Sequence, residues 1–377
     1  MKNKVNKKYF LLSLKREIPF VIFNLVVFSL SYLLPLGFNG GFKFDETSNL
    51  YYQQNLSTNY GFLVFMLAIY AVIIPVKTFN FLTKKKYIDS FYSLPIERKA
   101  ISIINILVNI ICVLVPFTLV FFSGSIITLI FHPKVIYIYY VIVYLILIVS
   151  FILYFMFNSF FFTRANKIID GAVTMVFANF VFLLIVAVLL LIFDEYRYET
   201  IKFLNIDGYE LHSVSLPFMP FIKYGNYFND MILSKYNYTN YYKYQILYNP
   251  IRHEPILSYD EWVSQTIGSF NPIYLIFLSI ISIAAIILFF VLFNKRKPEQ
   301  AEEVGNSNFG LKILSPICFT LLTLVLCGEA GMIESWLLFG IVAIGYMGTT
   351  LLEIRTFKFP LYKILILVGM FTLTIIF

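Results

Sequence analysis

The densest polar chemistry between two long apolar runs lies in the stretch from Lys84 to Lys99, KKKYIDSFYSLPIERK. Three lysines open it, and Glu97, Arg98 and Lys99 close it. Ile88, Phe91, Tyr92 and Leu94 can share one helical face, with Asp89, Ser90 and Ser93 near the other. Pro95 ends the turn because its ring cannot continue a helix, and Ile96 leads towards the next apolar run. Two readings fit these residues. One is a solvated loop on the positive, inner side of a membrane. The other is a short rigid helix lying across that inner surface against a cytoplasmic partner.

Other chemistry is sparse. The chain has no Gly-x-x-x-x-Gly-Lys-Ser/Thr loop and no Gly-Lys dipeptide, so it does not hold ATP through a P-loop. His132, His212 and His253 stand apart, and His-Glu-x-x-His, Cys-x-x-Cys and Gly-x-Ser-x-Gly are all absent. Cys112, Cys318 and Cys327 fall inside apolar runs, which argues against a disulfide framework or a zinc site. Asp194, Glu195, Asp260 and Glu261 are the acids that can pair as catalytic carboxylates, or simply be solvated. Asn105 and Asn109, four apart, share a helical face; such a pair bonds neighbouring helices or lines a substrate path. The expectation is a chain with no catalytic, cofactor or metal site of its own.

The elements that carry these residues are set by composition. The chain is 59% hydrophobic and 19% aromatic, with 13% charged residues and a mean hydropathy of +0.80. Soluble domains carry roughly 25% charged residues. Many apolar runs reach the ~20 residues that cross a ~30 Å hydrocarbon core. The expected fold is an all-α polytopic membrane protein.

In order, residues 1–17 read as a basic amphipathic helix on the inner surface, with Lys2, Lys4, Lys7, Lys8, Lys15 and Arg16 around an apolar centre. Spans are expected at about 18–38, 61–82, 101–131, 135–162, 172–193 and 272–293. Residues 39–60 read as an outer loop and 163–171 as a short inner one. Pro116 predicts a kink in the third span. Residues 194–270 break the pattern with charge, proline and many tyrosines, and read as an outer insertion. Its tyrosines fit an interfacial aromatic belt or a surface for lipid or peptide. Residues 295–312 form a charged inner linker. Three further spans are expected at about 313–327, 335–352 and 361–377. The chain stops inside an apolar run, the pattern of a truncated or split product. Lys and Arg concentrate in the segments that an inner N-terminus places inside, as the positive-inside rule requires.

This layout resembles the ABC-2 type permeases of bacterial ABC transporters. They have a basic elbow helix, six spans, a coupling helix between the second and third spans, and an outer insertion between the fifth and sixth. The run from Asp89 through Ser93, Leu94, Pro95, Ile96 and Arg98 is similar to the Ser-Leu-Pro-Ile-x-Arg pattern found after their second span. Lys295 to Glu302, KRKPEQAE, resembles the charged segment after their sixth, although Pro298 and Glu302 stand where Ser and Gly are usual. The likeness covers residues 1–303; the last three spans go beyond the six-span core.

The resemblance implies a plasma-membrane permease subunit, N-terminus cytoplasmic, that works as an exporter. It implies partnership with a cytoplasmic ABC ATPase, which binds the ATP, and with a second permease copy or a related permease. No nucleic-acid partner is implied. Asp89, Ser90, Phe91, Tyr92, Ser93, Leu94, Pro95, Ile96 and Arg98 would dock on the ATPase. Two other classes remain open: a sensor or immunity component for peptide antibiotics, and a membrane-integral lipid-modifying enzyme that uses the outer insertion.

Overall fold

The computed structural model describes residues 2–38, 49–131, 136–192, 220–221, 223–225, 227–228, 230–232, 234, 258–266, 272–295, 310–329, 332–356 and 359–376. No strand occurs among them. The helices are α1 (Lys2–Arg16), α2 (Ile18–Phe38), α3 (Asn49–Phe79), α4 (Lys85–Tyr92), α5 (Arg98–Phe131), α6 (Tyr137–Phe162), α7 (Ile168–Ile192), α8 (Tyr259–Thr266), α9 (Ile273–Lys295), α10 (Leu311–Glu329), α11 (Met332–Ile354) and α12 (Leu361–Ile376).

Among the described residues, six helical segments are long and apolar enough to cross a membrane: Gly61–Thr83, Arg98–Ile130, Tyr137–Phe162, Ile168–Ile185, Leu275–Phe293 and Trp336–Ile354. Three shorter apolar helices, Ile18–Leu33, Leu311–Leu326 and Leu361–Thr374, accompany them. The chain is an all-α polytopic membrane protein. Nine spans were expected, the seventh of them a short one, and three of the nine fall on these shorter helices.

The helices also differ from the expected boundaries. Residues 39–60 read as a loop, yet α3 begins at Asn49. From Asn49 to Tyr60 there is no glycine or proline, and leucine and glutamine favour helix. Polarity reports the medium around a segment, not its backbone. The start of α7 at Ile168 likewise shortens the loop expected at 163–171 and puts Asp170 in the first helical turn, where an acid is stabilised by the helix dipole.

The chain falls into two compact units. The first comprises residues 1–71, 102–153 and 220–275. Its core brings α2, α3, α5 and α6 together through aromatic rings. Phe28 meets Tyr70 at 5.2 Å and Phe117 at 5.7 Å. Phe117 stacks on Tyr144 at 6.2 Å, and the Thr118 and Tyr144 hydroxyls are 2.8 Å apart. α1 lays Tyr9, Phe10 and Leu14 against Ile104, Val108 and Cys112 of α5. Lys7, Lys8, Lys15 and Arg16 are exposed.

The second unit comprises residues 72–101, 154–219 and 276–377. Here Phe79 packs on Phe289 and Phe293 of α9, at 5.4 and 6.3 Å. α10 lies against α7 through Phe319 on Phe177 at 5.5 Å and a Cys318 Sγ bond to the Phe177 carbonyl at 3.4 Å. α10 also meets α11 through the Ser315 and Thr349 hydroxyls, 2.7 Å apart. Phe371 of α12 holds Trp336 and Phe339 of α11, each at 5.4 Å. Hydroxyls in apolar helices return to their own backbone: Thr78 donates to Ile74 O, Ser159 to Phe155 O and Thr174 to Asp170 O. That removes a polar group from a medium with no water to bond it.

Candidate functional site

The stretch expected to carry recognition forms a discrete structure. After α3 the chain tightens into a 3-10 turn, Asn80–Thr83, closed by Thr83 Oγ1 donating to Asn80 O at 2.7 Å. Lys84 is extended, with φ −126° and ψ 126°, and this break lets α4 leave in a new direction. Ile88 is 1% exposed. Phe91 packs at 4.6 Å, with tilted rings, on Phe81, a buried residue of the 3-10 turn. The apolar face of α4 therefore anchors it to its own chain. Asp89, Ser90, Ser93 and Pro95 are exposed, and Leu94 and Ile96 are half-buried. Ser93 N donates to Asp89 O and Ile96 N to Leu94 O, so the Ser-Leu-Pro-Ile corner is tightly turned. Arg98, also exposed, opens α5. Lys84, Lys85 and Lys86 are exposed, with the Lys84 ammonium 5.5 Å from the Tyr87 ring. The side chain of Tyr92 lies outside the described residues. The anchored face and the presented face thus divide as the helical spacing predicts for Ile88, Asp89, Ser90 and Phe91.

Asn105 and Asn109 are both buried on α5. Asn109 Nδ2 donates to Asn105 O at 2.9 Å, and Tyr9 Oη donates to Asn105 Oδ1 at 3.3 Å. Burial pushes the Tyr9 phenol above its usual range, which keeps it a donor. The second bond ties α1 to α5, the behaviour of a polar pair that fastens helices. Asn109 Oδ1 is buried without a hydrogen-bond partner.

Of the candidate acids, Asp194 and Glu195 lie outside the described residues. Asp260 is exposed on α8. Glu261 belongs to a helix cap: Ser258 N and Oγ donate to its Oε2 at 2.9 and 2.8 Å, and Glu261 N reaches back to Ser258 Oγ at 3.4 Å. These bonds hold its carboxyl below the usual range. Such a reciprocal cap accounts for a Ser-x-x-Glu spacing without catalysis. Among the described residues no three His, Cys, Asp or Glu side chains gather as a metal site.

Two buried polar clusters escaped the sequence reading. The first joins α6 to α7. Tyr154 Oη donates to Asn179 Oδ1 at 2.7 Å, and Asn179 Nδ2 donates to Asn158 Oδ1 and Met175 O, both at 2.8 Å. The second joins α7, α11 and α12. Arg355 pairs with Asp170 at 3.0 Å, and Lys363 with Glu353 at 2.7 Å, the latter side chains 1% and 7% exposed. A small cavity beside these pairs is lined by Arg164, Ala165, Asp170, Thr174, Gly310, Leu311 and Glu353. From sequence, Arg355 and Lys363 mark a positive-inside turn. The signal that betrays their burial is Glu353, an acid in an apolar helix ten residues before Lys363. Comparison with protein-family models, curated proteins and solved structures found no match.

Proposed function

We propose that this chain is the membrane-spanning permease subunit of an ABC-2 type transporter, an exporter driven by a separate cytoplasmic ATPase that binds the ATP. One observation carries the reading: α4, set between two spans, is anchored through Ile88 and Phe91 and presents Asp89, Ser90, Ser93 and Pro95 outward. A helix fixed to its own chain on one side transmits a push received on the other. In this reading the N-terminus and α4 face the cytoplasm of a bacterial cell, and the permease works with a second copy or a related permease. The ATPase docks on residues 89–98. Closure of the ATPase on ATP then favours one state of the spans, a population shift driven by differential binding.

The test is purification in a gentle detergent with identification of bound proteins. A stoichiometric P-loop ATPase that is lost on Leu94→Asp supports the reading. A Leu94→Asp chain that keeps the ATPase and full transport overturns the docking site, and no ATPase in any detergent overturns the permease assignment.

A further inference from the structure

Lys363 is the most deeply buried charge among the described residues. Its ammonium donates to Glu353 Oε2 at 2.7 Å and stands 5.8 Å from the Tyr346 ring centroid and 5.5 Å from that of Tyr362. A carboxylate with aromatic faces around one cation is the chemistry of an ammonium receptor: charge-assisted hydrogen bonding on one side and ring quadrupoles on the others. Two further observations point to a site. The Tyr346 hydroxyl is buried without a hydrogen-bond partner, so the cage holds a polar group that Lys363 leaves unused. Glu353 also lines the small cavity beside Asp170, Thr174 and Arg164.

Charge decides how the site can be used. The carboxylates of Asp170 and Glu353 face the cations Arg164, Arg355 and Lys363. Lys363 already holds Glu353 Oε2 at 2.7 Å, so a second ammonium enters only as Lys363 withdraws. We propose that Glu353, Tyr346 and Tyr362 form a binding site for a primary ammonium, which the chain fills with its own Lys363. An amine-bearing ligand competes with that lysine. The ammonium of an ethanolamine lipid headgroup and that of a free alkylamine share this chemistry.

The experiment is thermal unfolding of the full chain, wild type against Lys363→Met, with ethylammonium chloride and with tetramethylammonium chloride at equal ionic strength. Lys363→Met leaves Glu353 buried and unpaired, so its midpoint falls by roughly 5 °C or more. Ethylammonium restores it, tetramethylammonium restores little because it donates no hydrogen bond, and the wild type responds more weakly because the amine must first displace Lys363. Adding Glu353→Gln to Lys363→Met abolishes the response. Lys363→Ala removes both the ammonium and the stem, leaves room for the amine beside Glu353, and carries the same test should Lys363→Met fail to accumulate. In nanodiscs, a rise for the variant in ethanolamine lipid over choline lipid assigns the headgroup as ligand; a response to ethylammonium alone assigns the free amine. The site is overturned if ethylammonium moves neither variant, or moves the wild type or the Glu353→Gln double variant equally.

Discussion

Asn24 of α2 donates its Nδ2 hydrogen to the Cys112 carbonyl of α5 at 2.9 Å. Cys112 stands four residues before Pro116, inside one continuous helix. Proline has no N–H, so it cannot bond the carbonyl four residues back. In a hydrocarbon medium that carbonyl has no water to turn to. Asn24, fully buried, supplies the missing donor from a neighbouring helix. A break in one helix is thereby turned into a bond between two.

Asn24→Leu should therefore cost about 1–2 kcal/mol, the scale of an interhelical hydrogen bond in a membrane protein together with the acceptor left bare. Pro116→Ala restores an intrahelical donor to Cys112 O. In the Pro116→Ala background the cost of Asn24→Leu should fall to a few tenths of a kcal/mol. A double-mutant cycle on unfolding in mixed detergent measures the coupling, and equal costs in both backgrounds sink the assignment.

Gly124 of α5 faces the Tyr32 ring of α2, and a Cβ added there would fall on ring carbons. Tyr32 is 1% exposed, so the ring has nowhere to swing. Gly124→Ala should destabilise by about 1–3 kcal/mol despite alanine's better helix propensity. Tyr32→Phe keeps the offending ring and should not relieve it; Tyr32→Leu should. Thermal unfolding of Gly124→Ala, of each Tyr32 variant and of the two double variants separates these outcomes.

How far the sequence reached follows from what each signal reports. Hydropathy placed the apolar helices because the bilayer imposes one length and one polarity on them; Ile18–Phe38 is matched residue for residue. The same signal misread Asn49–Tyr60, where a helix runs through polar residues. In α4, helical spacing separated Ile88 and Phe91 from Asp89 and Ser90, since side chains three or four apart share a face. Pairings distant in sequence left no local trace. Arg355 and Asp170 are 185 positions apart. Nothing near Asp170 points to Arg355, and near Arg355 only Glu353, two residues before it, signals that a cation at this helix end turns inward.

Arg355 also holds a positive φ of 58° at the end of α11, where its N–H donates to Leu351 O at 2.8 Å. That left-handed backbone costs a non-glycine residue roughly 1 kcal/mol, and glycine nothing. Two substitutions separate strain from the ion pair. Arg355→Ala and Arg355→Gly both leave Asp170 without its guanidinium, and both should destabilise. Arg355→Gly should be the milder by about 1 kcal/mol, because it alone releases the backbone. Asp170→Asn should weaken the protein in the wild-type chain and add little to either Arg355 variant. Matching unfolding curves for Arg355→Ala and Arg355→Gly would remove the strain account.

The Ser258–Glu261 cap gives α8 a pH dependence with a definite sign. Bonds from Ser258 N and Oγ favour the ionised carboxylate and hold its pKa below the ordinary glutamate value of 4.5. The folded state thus binds its proton less readily than the unfolded one. The cap's contribution is fully present above the unfolded value and is lost as pH falls through the lower, folded one. Between pH 7 and 5, α8 should not change. Below about 4.5 its amide protection, corrected for intrinsic exchange, should decline across Tyr259–Thr266. Glu261→Gln keeps a carbonyl to accept from Ser258 and cannot titrate, so its protection should not follow that decline. Glu261→Ala removes the acceptor and should show reduced protection at every pH. A Glu261→Gln helix that frays with acid as the wild type does would place the pH response elsewhere.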